Sequence, residues 1–234
     1  MGKRASKEAP PSPQGSGRGQ SFAMEDTTDL KKVLDTFKRC LNDKQEILMD
    51  PYIAGWKGLV GFLNTMGTIF AFVSKDAVAK IQIMENFRNS DQKAQYVSLQ
   101  SMVDHELGQG LVDFHAQRDN PISGCRTILR LHRALRWLQL FLEALRTSGA
   151  DSKTSALCTE SYNASLAHYH PWIIRKAATV AFYALPSRND FLENMKVGTP
   201  EEAVEMLGEA LPCLYQVYDV TESLYAKHQL LDLP

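Results

Sequence analysis

The spacing of apolar residues is helical along almost the whole chain. They recur every three or four positions, and no stretch sustains the alternation of period two that is typical of a strand. The pattern predicts an all-helical protein, with Pro51, Pro171 and Pro200 each following a polar residue at a helix start. Helices are predicted near residues 28–44, 51–70, 74–88, 93–108, 123–147, 155–168, 171–184, 189–195 and 200–228.

The N-terminal segment differs in composition from the rest of the chain. Glycine, serine and proline make up half of the first 22 residues, and the few apolar residues there show no helical spacing. We expect a disordered tail over residues 1–23, followed by a single domain over residues 24–234. The tail has neither the apolar core of a secretory signal nor the low proline content of a transit helix, so a cytoplasmic location is expected.

One uncharged run is long enough to be compared with a membrane span. It covers 17 residues, Gly58–Ser74, between Lys57 and Lys75. A helix that crosses a bilayer needs about 20 predominantly apolar residues, and this run includes three glycines and several polar side chains. We therefore expect a helix buried on most sides, covered by protein or by something apolar that the protein carries.

Charge and motifs exclude several functional classes. The 26 Lys and Arg residues are balanced by 27 Asp and Glu residues, so no basic excess indicates nucleic-acid binding. The four cysteines form no C-x-x-C pair, which favours reduced, buried thiols over a disulfide framework or a zinc site. No dinucleotide, P-loop, hydrolase or zincin motif is present. We expect no enzyme activity, no cofactor and no metal site.

The predicted helix 123–147 carries an arginine-rich face. Arg126, Arg130 and Arg133 share this face with Trp137, opposite an aliphatic face. A guanidinium group presents a planar fork that matches phosphate oxygens. From this helix alone, the face is either a solvated basic surface or an anion site.

Two further patterns carry candidate chemistry. Asp76 and Lys80 lie one helical turn apart, as the members of an ordinary surface ion pair do. His170 stands directly before Pro171, near a helix start, where it serves either as a cap or as a ligand contact. Trp172 has an amphipathic ring that suits a membrane interface or a protein core. Each pattern leaves both interpretations open.

Taken together, these patterns resemble the glycolipid transfer protein family. The chain contains, in order, Asp76-x-x-x-Lys80, Arg126-x-x-x-Arg130 and His170-Pro171-Trp172. The resemblance covers roughly residues 28–234 and also rests on Leu48–Ala54, Trp56–Val60, Ser123–Arg126, Leu131–Leu135 and Leu230–Pro234. It implies a two-layer helical sandwich that holds a sphingolipid head group at a surface site and the lipid chains in an apolar pocket between the layers.

The resemblance also implies roles for the head-group residues. Asp76 resembles the aspartate that accepts a hydrogen bond from the ceramide amide N–H, and His170 the histidine that bonds the amide carbonyl. Where glycolipid-binding members have a sugar-stacking tryptophan and a sugar-contacting asparagine, this chain has Arg130 and Lys80. Both changes favour a phosphate head group, which Lys80, Arg126 and Arg130 are expected to bind. The implied ligand is ceramide-1-phosphate.

The remaining expectations follow from the same resemblance. The apolar pocket is predicted to involve Phe62, Leu63, Met66, Phe70, Phe72 and Val73. Trp172 is expected to dock the protein on a membrane surface while one lipid enters or leaves. We expect a monomer in the cytosol, transiently at membranes such as the Golgi and the plasma membrane, with the nucleus as a further location.

Three alternatives remain open at this point. Glycosphingolipid transfer would make Lys80 and Arg130 incidental. A helical lipid sensor or adaptor would hold lipid without moving it between membranes. An enzyme acting on the phosphate is the third alternative, although no metal site or positioned nucleophile is evident in the sequence.

Overall fold

A computed structural model describes residues 30–65, 70–115 and 123–234. Within these ranges the chain is helical, with isolated bridges and no longer strand, so the all-helical prediction is confirmed. Two 3₁₀ turns, Lys93–Tyr96 and Ala167–Tyr169, supplement the α-helices. The α-helices are α1 Leu30–Lys38, α2 Met49–Thr65, α3 Ala71–Arg88, α4 Leu99–Gly108, α5 Gly124–Thr147, α6 Thr154–Ala164, α7 Trp172–Phe182, α8 Arg188–Glu193 and α9 Pro200–Lys227. The predicted tail lies outside the described residues.

Three predicted helices are clearly shorter in the structure than expected, and one of them, 155–168, ends as α6 at Ala164. The first ends at Lys38 instead of continuing to residue 44. There Asn42 Oδ1 accepts hydrogen bonds from the backbone N–H groups of Lys44 and Glu46, which stabilises a turn in place of a helix. The predicted helix 93–108 is divided into a 3₁₀ turn and α4, because the Ser98 side chain caps the start of α4.

Each of the three prolines predicted at helix starts lies within two residues of the observed start. At Pro200 the prediction is confirmed, since Thr199 and Glu202 form a capping box around it. Helix α2 begins at Met49, ahead of Pro51. Pro171 occupies the N-cap position of α7 without a side-chain hydrogen bond. His170 therefore ends the preceding 3₁₀ turn and does not cap the helix.

The large apolar side chains of the uncharged run are mostly buried where they are described, whereas Asn64 and Ala71 are exposed. Leu59, Val60, Phe62 and Leu63 are at most 3% exposed. Among the residues that the structure describes, no helix has both the length and the apolar character needed to span a membrane. The expected burial of this run inside protein is therefore confirmed for these positions.

Helix α5 is the centre of the fold, and this corrects one prediction. It packs against α3, α4, α6 and α9. Trp137, predicted to share an open face with the arginines, is fully buried and lies between the rings of Phe70 and Phe182. A helical wheel gives the direction in which a side chain points from the helix axis, but it does not show which other elements cover that side chain. Trp137 stands seven residues beyond Arg130, about 10 Å along the helix axis, where other elements cover the same face.

The cysteines are free thiols. Burial raises the pKa of Cys40, Cys125 and Cys158, so these three stay protonated at neutral pH. Cys213 is only half-buried, which corrects the expectation that all four would be buried.

Candidate binding site

A cavity of about 360 Å³ opens between α3, α5 and the segment that joins α6 to α7. Of the twelve residues that line it, six are apolar and six are polar. The polar lining residues are Asp76, Lys80, Arg130, Arg133, Tyr169 and His170. Three patterns that are far apart in the sequence thus converge on one cavity. Across the described parts of the chain, no group of three or more His, Cys, Asp or Glu side chains is arranged to hold a metal ion.

Helix α3 supplies an ion pair at the cavity. Lys80 Nζ donates a hydrogen bond to Asp76 Oδ1 at 2.5 Å. The Lys80 side chain is only 12% exposed, whereas that of Asp76 is 62% exposed. The lysine stem therefore packs against protein while its ammonium group is held at the cavity wall by a carboxylate that remains accessible.

Helix α5 carries the two predicted arginines of the site, but only Arg130 is among the residues that line the cavity. Arg130 is exposed and lines the cavity. Arg126 is half-buried one turn earlier, and its side chain is not among the lining residues. Its backbone N–H donates to the Ser123 side chain, which caps α5. Any head-group role of Arg126 therefore stays a prediction.

Arg133 is a lining residue that sequence reasoning did not assign to the site. Its guanidinium carbon lies 3.8 Å from the centroid of the Tyr169 ring. Its Nη2 donates to the backbone oxygen of Leu231 at 2.7 Å and, more weakly, to that of Leu233 at 3.4 Å. Arg133 and Tyr169 also line a second cavity of about 360 Å³ on the α9 side. The sequence pattern placed Arg133 on the arginine-rich face of the helix, but it did not indicate which groups Arg133 contacts.

His170 lies just before the N-terminus of α7 and is half-buried in the cavity wall. Its Nδ1 lies 2.7 Å from the hydroxyl oxygen of Tyr162, which is on α6. Burial lowers the pKa of His170 below its ordinary value, with Asp76 opposing this effect and Lys80 adding to it. The imidazole is therefore neutral at pH 7, with one nitrogen that donates and one that accepts.

Among the described residues of the predicted apolar pocket, all except Val73 are buried in packed core. Val73 lines the cavity. Phe62, Leu63 and Phe70 are at most 2% exposed, and Phe70 packs in an aromatic cluster with Trp137, Phe141 and Phe191. Met66 and the side chain of Phe72 lie outside the described residues. The described pocket residues thus continue from the cavity into a packed core.

Trp172 begins an exposed apolar surface on α7. Trp172, Ile173, Val180 and Tyr183 are between 64% and 77% exposed. At about 100° per residue they fall within one third of the helix circumference, and Lys176 lies among them. Large exposed apolar side chains that share one face of a helix usually contact a partner or a membrane.

Comparison with known proteins gives consistent results. The profile of the glycolipid transfer protein (GLTP) family matches residues 47–197. The ceramide-1-phosphate transfer protein of Homo sapiens is 63% identical over 206 residues, which cover 88% of this chain and 96% of that protein. A crystal structure of the human protein in complex with 12:0 ceramide-1-phosphate has a TM-score of 0.85 and 63% identity, with 88% of this chain and 99% of that one covered. The GLTP fold of FAPP2, which selects simple glycosphingolipids, has a TM-score of 0.71 and 25% identity over 83% of this chain and 92% of that one.

Proposed function

Because the chain belongs to the glycolipid transfer protein family, we propose that it carries ceramide-1-phosphate between membranes without changing it chemically. The domain that does so is taken to be residues 24–234. The observation that carries the proposal is the convergence of Lys80 and Arg130 on the cavity that Asp76 and His170 also line. Relatives that are named for this lipid and match this chain over at least 96% of their own length support it.

The head group is assigned to the cationic side of the cavity. A phosphomonoester carries about −1.5 to −2 charges at neutral pH and three strong acceptor oxygens. Lys80 and Arg130 supply the matching donors, and Arg126 is one turn from Arg130 on the same helix. Asp76 accepts a hydrogen bond from the ceramide amide N–H, and His170 donates one to the amide carbonyl.

The lipid chains are assigned to the apolar side of the same cavity. Val73 marks the point where the cavity meets the core that contains Phe62, Leu63 and Phe70. This core is tightly packed, so entry of the chains would require the aromatic cluster around Phe70 to move apart. Burial of about 0.8 kcal/mol per methylene supplies most of the binding energy. The head-group contacts then determine which lipid is accepted.

The apolar surface on α7 is assigned to membrane docking. Trp172 and its exposed neighbours insert into the interface, and Lys176 lies close enough to face anionic lipids. With a net charge near zero, adsorption stays weak enough for release. The protein is taken to act as a cytosolic monomer that visits membranes such as the Golgi and plasma membrane, with no cofactor and no catalytic step.

A vesicle-to-vesicle transfer assay tests the proposal. It compares ceramide-1-phosphate with glucosylceramide for the wild type and Arg130→Ala. Loss of one charge-assisted contact, about 1.5–3 kcal/mol, predicts a ten- to hundredfold slower transfer of the phosphate lipid. Arg146→Ala is the matched control, because it removes the same charge from α5 about 24 Å away along the helix.

The outcomes separate the alternatives. Transfer of ceramide-1-phosphate alone, lost in Arg130→Ala and kept in Arg146→Ala, supports the proposal. Equal transfer of both lipids supports glycosphingolipid transfer in place of phosphate selection. Transfer of neither lipid by the wild type supports a lipid sensor or adaptor.

A further inference from the structure

Tyr162 is a buried tyrosine whose hydroxyl group contacts His170, one of the residues that line the candidate site. It lies on α6, is 2% exposed, and places its hydroxyl oxygen 2.7 Å from His170 Nδ1. We propose that Tyr162 is a positioning residue that holds His170 in the tautomer whose Nε2 carries the proton. This inference rests on the proposed function, in which His170 donates to the lipid amide carbonyl.

The direction of the hydrogen bond follows from the chemistry of the two groups. Burial raises the pKa of Tyr162, so the phenol keeps its proton. The lowered pKa of His170 keeps the imidazole neutral. A phenol is a far better acid than a neutral imidazole N–H, and an imidazole lone pair is a far better base than a phenol oxygen. The O–H of Tyr162 therefore donates to Nδ1, which leaves the proton on Nε2.

The tautomer decides what the cavity offers to a ligand. With the proton on Nε2, the ring presents a donor on the side away from Tyr162. In the other tautomer that nitrogen presents a lone pair, which repels a carbonyl oxygen. Histidines that bind ligands are commonly oriented in this way by a hydrogen bond to the other ring nitrogen. Tyr162 thus converts a neutral histidine into a dedicated donor.

The surroundings of Tyr162 allow its hydroxyl to be tested separately from its ring. The ring packs edge-on against Phe182, with the centroids 5.6 Å apart, and lies 5.8 Å from the imidazole. These contacts involve the ring alone, so Tyr162→Phe keeps the packing and removes the hydroxyl. Tyr215→Phe is the matched control, because it removes a hydroxyl from a half-buried side chain on α9 that does not line the cavity.

The decisive measurement is the ¹⁵N spectrum of the imidazole nitrogens in the full chain without lipid at pH 7.5. In the wild type, His170 is expected to show a protonated Nε2 and an unprotonated Nδ1. Tyr162→Phe is expected to show a mixture of tautomers and to bind ceramide-1-phosphate in vesicles about three- to tenfold more weakly. Tyr215→Phe is expected to leave both readouts unchanged.

Several results would overturn the inference. A wild-type His170 with the proton on Nδ1 would do so even if Tyr162→Phe did not fold. An unchanged tautomer in a folded Tyr162→Phe variant would do so as well, because a merely structural role moves stability and not the tautomer. The spectra are recorded without lipid, so they remain decisive if the wild type transfers no ceramide-1-phosphate and the proposed function fails.

Discussion

Replacing Glu106 by Gln is expected to destabilise the protein strongly, because this carboxylate holds the start of α5. Glu106 is 1% exposed on α4. Its Oε1 accepts from the backbone N–H of Gly124 at 2.6 Å and from the Tyr96 hydroxyl at 3.0 Å, and its Oε2 accepts from the N–H of Cys125 at 3.0 Å. A negative group at a helix N-terminus is also favoured by the helix dipole.

The size of the effect follows from these contacts. A glutamine has one acceptor oxygen, so its NH₂ group must face a donor that Glu106 now satisfies. The substitution removes a charge-assisted hydrogen bond, worth about 1.5–3 kcal/mol, and leaves a buried donor without a partner at a cost of about 1–3 kcal/mol. We expect a loss of about 3–5 kcal/mol. For a chain of this length, that lowers Tm by roughly 10 °C.

Thermal and urea unfolding at pH 7 measure this loss. Asp104→Asn is the matched control, because it makes the same chemical change on an exposed position of α4, where surface substitutions stay within about 0.5 kcal/mol. A Tm for Glu106→Gln within about 2 °C of the wild type would refute the reasoning. The start of α5 would then be held by Ser123 alone.

Two further predictions test packing and docking. A Cβ at Gly58 would lie 2.6 Å from Val33 Cγ2, whereas one at Gly208 would have its nearest neighbour at 3.8 Å. Gly58→Ala is expected to lower the free energy of unfolding by about 1–2 kcal/mol. Gly208→Ala is expected to raise it by up to about 1 kcal/mol. Equal effects of the two substitutions in urea unfolding would contradict this. Trp172→Ala is expected to slow intervesicle transfer at least several-fold with an unchanged Tm, because its side chain is 64% exposed. Transfer at the wild-type rate would show that docking does not use this residue.

Local patterns in the sequence predicted the helices well but their environments less well. Apolar spacing and capping residues act within a few positions, so the class and most helix bodies were predictable. Trp137 was misplaced because its burial depends on Phe70 and Phe182, which reach it from other helices. The early end of α1 depends on an Asn42 turn that competes with the helix.

The same distinction applies to the site. Asp76 and Lys80 pair within one helical turn, so their spacing alone indicated contact. Arg133 is held by a backbone oxygen 98 positions away in sequence, and no local pattern signals such a contact. The Tyr162 hydroxyl spans only eight residues to His170, yet the intervening 3₁₀ turn that brings them together was predicted as helix.

The contact between Lys80 and Asp76 suggests how the proposed site would discriminate between lipids. The ammonium group of Lys80 donates a hydrogen bond to Asp76 Oδ1 at 2.5 Å. In the proposed site a ceramide amide N–H would share that carboxylate with Lys80, and this would weaken the ion pair. A phosphate head group gives Lys80 a new anionic partner in exchange, whereas a neutral head group leaves the lysine, with its side chain only 12% exposed, less well paired. In the proposed site, selection against neutral head groups would therefore arise from the cost of an uncompensated cation, and it would not require the cavity to exclude a sugar by size.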